Sequence, residues 1–114
     1  MQSTIYHYSA CSKSRAALQY LREQSIEPTV IEYVKNPPTE ETLIALLKTA
    51  NLKAHQAIRT NEPIYAELGL SENTPEKELI AAMVAHPILI ERPIVITTKG
   101  ACIARPTERI NEIL

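Results

Sequence analysis

In a chain of 114 residues, the side chain best placed to do chemistry is Cys11. It stands where a β-branched and aromatic run, Thr4-Ile5-Tyr6-His7-Tyr8, passes through Ser9-Ala10-Cys11-Ser12 into a helical pattern. A thiol at a helix N-terminus meets unpaired N–H groups and the positive end of the helix dipole, which stabilise a thiolate or a bound oxyanion. Such settings bring a cysteine from about 8.5 into the range of roughly 3.5–7.5. Lys13, Arg15 and His7 are near in sequence and could add positive charge. Two familiar thiol motifs are excluded by the letters. A Cys-x-x-Cys pair needs a thiol where Ser14 stands, and a Cys-x5-Arg loop needs an arginine where Ala17 stands. A monothiol remains, to be regenerated by an external thiol or by a distant one. The other cysteine, Cys102, reads as a packed strand residue, with a resolving thiol as its alternative.

Arg59, Arg92 and Arg105 are the second chemical feature. Arg92 directly precedes Pro93, and Arg105 directly precedes Pro106. Guanidinium forks hold tetrahedral oxyanions bidentately, so three converging arginines would suit phosphate, sulfate or arsenate. No metal site is expected, because the two cysteines lack histidines at ligand spacing. His55 and His86 read as structural or exposed. Glu40, Glu41, Glu76, Lys77 and Glu78 read as solvated helix faces.

The elements that must position these residues follow from periodicity and turn chemistry. Residues 4–8 read as a strand, 12–24 as a helix and 29–33 as a second strand, a βαβ unit with a right-handed crossover. Asn36-Pro37-Pro38-Thr39 stops the chain and starts a helix to about Ala50, with Thr39 as its cap. Short helical pieces follow from Ala54 to Ile58 and from Pro63. Thr74-Pro75-Glu76 repeats the cap-then-proline start and opens a helix to about Ala85. Pro93 to Thr98 then reads as a strand, Lys99-Gly100 as a turn, and Ala101 to Ala104 as its hairpin partner. Arg105-Pro106-Thr107 starts a last helix through Ile110 and Ile113. The fold class is α/β, a thioredoxin-like β-α-β plus β-β-α with a helical insertion and a mixed four-stranded sheet. One domain, residues 1–114, is expected. In that arrangement a cis proline precedes the third strand beside the thiol, so a cis Arg92–Pro93 bond is expected.

Bulk properties bound the partners. The chain is 45% hydrophobic and 22% charged, with a formal net charge of -1 and a pI near 6.3. That balance offers no global attraction to nucleic acid or to an anionic membrane, so anion binding must be local. The N-terminus lacks a signal-peptide pattern, and no stretch approaches the roughly 20 apolar residues of a membrane span. A soluble, cytoplasmic protein is expected.

Over essentially its whole length the chain resembles the glutaredoxin-coupled arsenate reductase family, in its shorter branch. The resemblance is carried by Ile5-Tyr6-His7 with Ala10-Cys11 and Ser14-Arg15, by Glu27-Pro28-Thr29 and Pro37-Pro38-Thr39, and by Glu67-Leu68-Gly69-Leu70. Its most specific piece is the run His86-Pro87-Ile88-Leu89-Ile90 with Arg92-Pro93-Ile94-Val95, followed later by Arg105-Pro106. The resemblance implies that Cys11 attacks arsenate, that Arg59, Arg92 and Arg105 bind the oxyanion, and that His7, Ser14 and Arg15 support the thiolate. It also implies glutathione as co-substrate, glutaredoxin as partner that resolves the mixed disulfide, arsenite as product, and no bound cofactor. The thiol loop departs from the family pattern. Members with established activity usually carry Asn-Pro-x-Cys-Gly-Thr where this chain has Tyr8-Ser9-Ala10-Cys11-Ser12-Lys13. Two other readings are a glutathione-dependent reductase of other disulfides and a non-enzymatic thioredoxin-like interaction module.

Overall fold

Ser3–His7 forms β1, the strand on which the sheet is built. A computed structural model describes residues 2–114 of the chain. They fall into two compact units, residues 2–36 with Arg92–Leu114, and Pro37–Glu91.

In the first unit β1 leads into α1, Ser12–Glu23, and then β2, Thr29–Glu32. After the second unit the chain returns as β3, Ile94–Thr97, and β4, Gly100–Ile103. The sheet order is β2-β1-β3-β4. β1 pairs parallel with β2, and both β1–β3 and β3–β4 are antiparallel. This is the mixed four-stranded sheet of the thioredoxin-like β-α-β plus β-β-α arrangement. Ala17 and Leu21 sit one helical turn apart and bury the same face of α1. They pack with Ile5, Val95, Cys102, Ala104, Ile110 and Ile113 in one core.

Two details of this unit differ from the expectation. Gly100 is not part of the hairpin turn but the first residue of β4, paired with Thr97. Its φ of 149° is one that L side chains rarely adopt, which explains a glycine there. The last segment, Thr107–Ile113, is a 3-10 helix and not an α-helix. Three residues per turn stack Ile110 and Ile113 on one face, and both are buried. The Thr97 hydroxyl donates to the Ile113 carbonyl, and Lys99 Nζ donates to the Leu114 carbonyl, which fixes the segment's end.

The second unit is helical apart from one bridge. α2 spans Glu40–Ala50 and starts at Thr39, whose hydroxyl accepts from the Thr42 N–H at 3.2 Å. It ends at Asn51 in the left-handed conformation. Short α3, Ala54–Ala57, and α4, Pro63–Glu67, precede α5, Glu76–Ala85. Leu43, Leu46 and Leu47 of α2 and Leu79, Ile80 and Met83 of α5 are the buried faces of two helices that contact each other. The start of α5 departs from the expected cap. Pro75 occupies the cap position, and the Thr74 hydroxyl instead accepts from the Ser71 N–H at 2.9 Å. A 3-10 turn, Pro87–Leu89, follows α5, and Ile90 forms an antiparallel bridge with Ile58.

Candidate active site

The turn between β1 and α1 is braced before any functional group is considered. The Cys11 N–H donates to the Tyr8 carbonyl at 2.9 Å, and the Arg15 N–H donates to the Cys11 carbonyl at 3.1 Å. Ser14 is fully buried, and its hydroxyl accepts from the Tyr8 N–H at 3.3 Å. Arg15 is exposed, and its Nη1 donates to the Ser9 carbonyl at 2.8 Å. Ser14 and Arg15 thus hold the loop that presents Cys11.

Cys11 occupies the N-cap of α1 with extended backbone. Partial burial pushes the thiol pKa up. The N–H of Ser14, the Arg92 side chain, the N–H of Lys13 and the charge of Arg105 together outweigh that effect and lower it. Helix-terminal donors and two guanidinium groups therefore favour the thiolate.

Arg92, just before β3, and Arg105, just after β4, reach the thiol from the loops at the ends of these strands. Arg105 Nη2 donates to Cys11 Sγ at 3.4 Å, and its Nε donates to the Arg92 carbonyl at 2.6 Å. Arg92 itself is only 7% exposed. Its Nη1 donates to the hydroxyl of the fully buried Tyr33 at 3.3 Å, and its guanidinium carbon lies 4.6 Å from the centroid of the Tyr8 ring. Burial works against the charged guanidinium, but the Tyr33 hydroxyl and the Cys11 thiolate overcome it and raise its pKa. The Arg92–Pro93 peptide is cis, and so is Arg105–Pro106.

His7 and Arg59 stand differently. His7 is a buried residue at the end of β1, in register with Glu32. Burial lowers its pKa, and the charges of Arg15 and Arg22 add to that against the raising effect of Glu32. A neutral imidazole follows at neutral pH, so the positive charge at the thiol comes from Arg92 and Arg105. Arg59 belongs to the second unit. Its N–H donates to the Leu89 carbonyl at 2.7 Å, and its Nη1 forms an ion pair with Glu91. Glu91 in turn donates its N–H to the Ala57 carbonyl at 2.7 Å.

Both cysteines are free. Cys102 is buried in β4, and burial pushes its thiol pKa up, opposite to Cys11. Among the described residues no group of three or more His, Cys, Asp and Glu could hold a metal ion. None of the described helices is long and apolar enough to cross a membrane.

Tyr33 is a site residue that sequence reasoning passed over, and Tyr8 entered it only as a departure from the family's thiol loop. Tyr8 and Tyr33 end runs read as strands, where aromatic residues are ordinary packing. The available signal was Tyr8 standing where the resembled family carries asparagine.

Three comparisons bear on this geometry. A model of the ArsC family matches residues 6–113. An arsenate reductase of Rhizobium meliloti (strain 1021) is 46% identical over 115 residues, spanning 100% of this chain and 82% of that protein. The uncharacterized protein YfgD of Escherichia coli is 43% identical over 115 residues, spanning 99% of this chain and 97% of that protein. Among solved structures, an arsenate reductase from Vibrio cholerae matches with a TM-score of 0.96 at 41% identity, covering 100% of this chain and 98% of that one.

Proposed function

The chain belongs to the ArsC family, and from that premise we propose that it is an arsenate reductase whose nucleophile is the Cys11 thiolate. The observation that carries the reading is the thiol's own environment: Arg105 Nη2 lies 3.4 Å from Cys11 Sγ, and Arg92 lowers the same thiol's pKa. Two cations at a nucleophile suit a tetrahedral oxyanion, because they attract it in the ground state and neutralise charge as the sulfur bonds to it.

In this reading the Cys11 thiolate attacks arsenic, a sulfur–arsenic bond forms and a protonated oxygen leaves as water. Arg92 and Arg105 hold the remaining oxygens. Glutathione then attacks the adduct, and the electron pair of the sulfur–arsenic bond passes to arsenic, which is released as arsenite. Cys11 is left in a mixed disulfide with glutathione, and glutaredoxin returns it to the thiol. The dependence on an external thiol is supported by Ser14 at the place of a second cysteine and by the burial of Cys102. Free cysteines fit a reducing cytoplasm. We take residues 1–114 as one catalytic domain, with Arg59 as the third oxyanion ligand that the family resemblance implies.

The test is arsenite production by the purified protein with arsenate, glutathione and glutaredoxin. Wild type is expected to turn over and Cys11→Ser to lose activity almost completely. Turnover of glutathionylated disulfides without any turnover of arsenate would replace this reading with that of a general thiol reductase.

A further inference from the structure

Arg92 as a residue is only 7% exposed, so its guanidinium cannot rely on solvent to hold its charge or its direction. Arg92 is held instead on two sides. The Tyr33 hydroxyl accepts from Nη1 at 3.3 Å, and the face of the Tyr8 ring lies 4.6 Å from the guanidinium carbon. Tyr33 is fully buried, so its hydroxyl is a fixed point and not a mobile surface group. Tyr8 is tied to the thiol turn through its carbonyl, which accepts from Cys11, and its N–H, which donates to Ser14. The ring that faces Arg92 is therefore part of the same rigid turn that presents the sulfur. Arg105 adds a further tie by donating to the Arg92 carbonyl.

We propose that Tyr8 and Tyr33 are positioning residues that fix the Arg92 guanidinium beside the Cys11 sulfur before any oxyanion arrives. An arginine side chain has many rotamers, and freezing them when a ligand binds weakens affinity. Tyr33 supplies a hydrogen-bond acceptor of fixed direction, and Tyr8 supplies a π-face that attracts the cation. Neither touches the reacting atoms in this assignment. Both act through Arg92, on the ionisation of Cys11 and on the binding of the anion. The assignment rests on the arsenate reductase reading only for its kinetic consequence, since the effect on the thiol needs no substrate.

Tyr33→Phe, Tyr8→Phe and Tyr8→Leu in the full chain separate the two contributions. Tyr33→Phe keeps the ring and removes the acceptor, Tyr8→Phe keeps the π-face, and Tyr8→Leu removes it. Two measurements are made: the pH dependence of Cys11 alkylation, read on the Cys11 peptide by mass spectrometry, and steady-state kinetics with arsenate. Tyr33→Phe is expected to move the alkylation curve to higher pH and to raise KM for arsenate about 2- to 12-fold, with a smaller change in kcat. Tyr8→Leu is expected to raise KM roughly 2- to 5-fold, and Tyr8→Phe to behave as wild type. Alkylation curves for Tyr33→Phe and Tyr8→Leu that overlay wild type, while Arg92→Ala shifts its own, would overturn the proposal. Equal losses in Tyr8→Phe and Tyr8→Leu would overturn the π-face assignment. If Tyr33→Phe fails to fold, the half-exposed Tyr8 pair still decides. If wild type makes no arsenite, the function reading fails while the alkylation curves still judge the positioning.

Discussion

At Cys11 the opposing effects on one thiol can be weighed one by one. Burial alone would keep it protonated, and the N–H of Ser14, the Arg92 side chain, the N–H of Lys13 and the Arg105 charge win against it. Its folded pKa therefore lies below the unfolded value of about 8.5. Between those two values the native state holds fewer protons than the unfolded state, so stability from the thiolate rises with pH across that window. It is absent below the folded pKa and complete above the unfolded one. Arg105→Ala is expected to narrow the window by moving the alkylation curve toward higher pH. Cys11→Ser is expected to remove this pH dependence, so that its urea midpoint falls further behind wild type as pH rises toward about 8.5. Equal pH profiles for wild type and Cys11→Ser would contradict the depressed thiol. At this scale the sequence was informative where a residue type is rare for its setting. A polar strand-to-helix turn made Cys11 stand out, and two Arg-Pro steps drew attention to Arg92 and Arg105. Tyr33 carried no such contrast, because an aromatic residue ending a strand is what packing alone would place there, and Tyr8 stood out only against the family's thiol loop. Nor does sequence reveal that Glu91 holds Arg59, since the two are 32 positions apart and meet only through the Ile58–Ile90 bridge region.

Among the elements, those whose signals are local were the most legible. Thr39 caps α2 as its position before Glu40 and Glu41 suggests, and Pro63 opens α4 at a first helical position. The misses also have local causes. Thr74 and Pro75 compete for one cap position, and Pro75 fills it while the Thr74 hydroxyl closes a turn with Ser71. The terminal segment shows isoleucines at 110 and 113, a spacing of three that α and 3-10 helices both accommodate. Only the anchoring of its end to Thr97 and Lys99 distinguishes them, and that is tertiary information. Since the Thr39 hydroxyl satisfies the Thr42 N–H, Thr39→Ala is expected to cost about 1 kcal/mol, within a range of about 0.5–2. Urea denaturation checks this through a lower midpoint at unchanged slope, and Thr39→Ser should recover most of the loss. A Thr39→Ala variant as stable as wild type would show that water replaces the cap without cost.

For the whole molecule, the arginines and the thiol of the first unit come from positions 11, 92 and 105, and no local pattern brings them together. The strand order does so. β1 lies next to β3, so the turn after β1 and the residue before β3 meet at one end of the sheet. Local patterns were enough to recognise a βαβ unit and a hairpin, but the side on which the hairpin joins β1 came from the thioredoxin-like arrangement. The same topology separates stability from function. Val95 pairs with Ile5 across β1–β3 and with Cys102 across β3–β4, is fully buried, and makes no contact with the thiol's partners that enters its ionisation. Val95→Ala removes two methyl groups from the core, with an expected loss of about 2 kcal/mol from burial and cavity together. For a chain of this size that corresponds to a fall in Tm of roughly 8–16 °C. Below its transition the variant is expected to keep the wild-type pH curve for Cys11 alkylation, because Arg92 and Arg105 still converge on the sulfur. Calorimetry and alkylation on the same preparation check both halves. A Val95→Ala protein with a shifted alkylation curve in its native baseline would mean that core packing in β3 sets the position of Arg92, three residues before it, more than the tyrosines do.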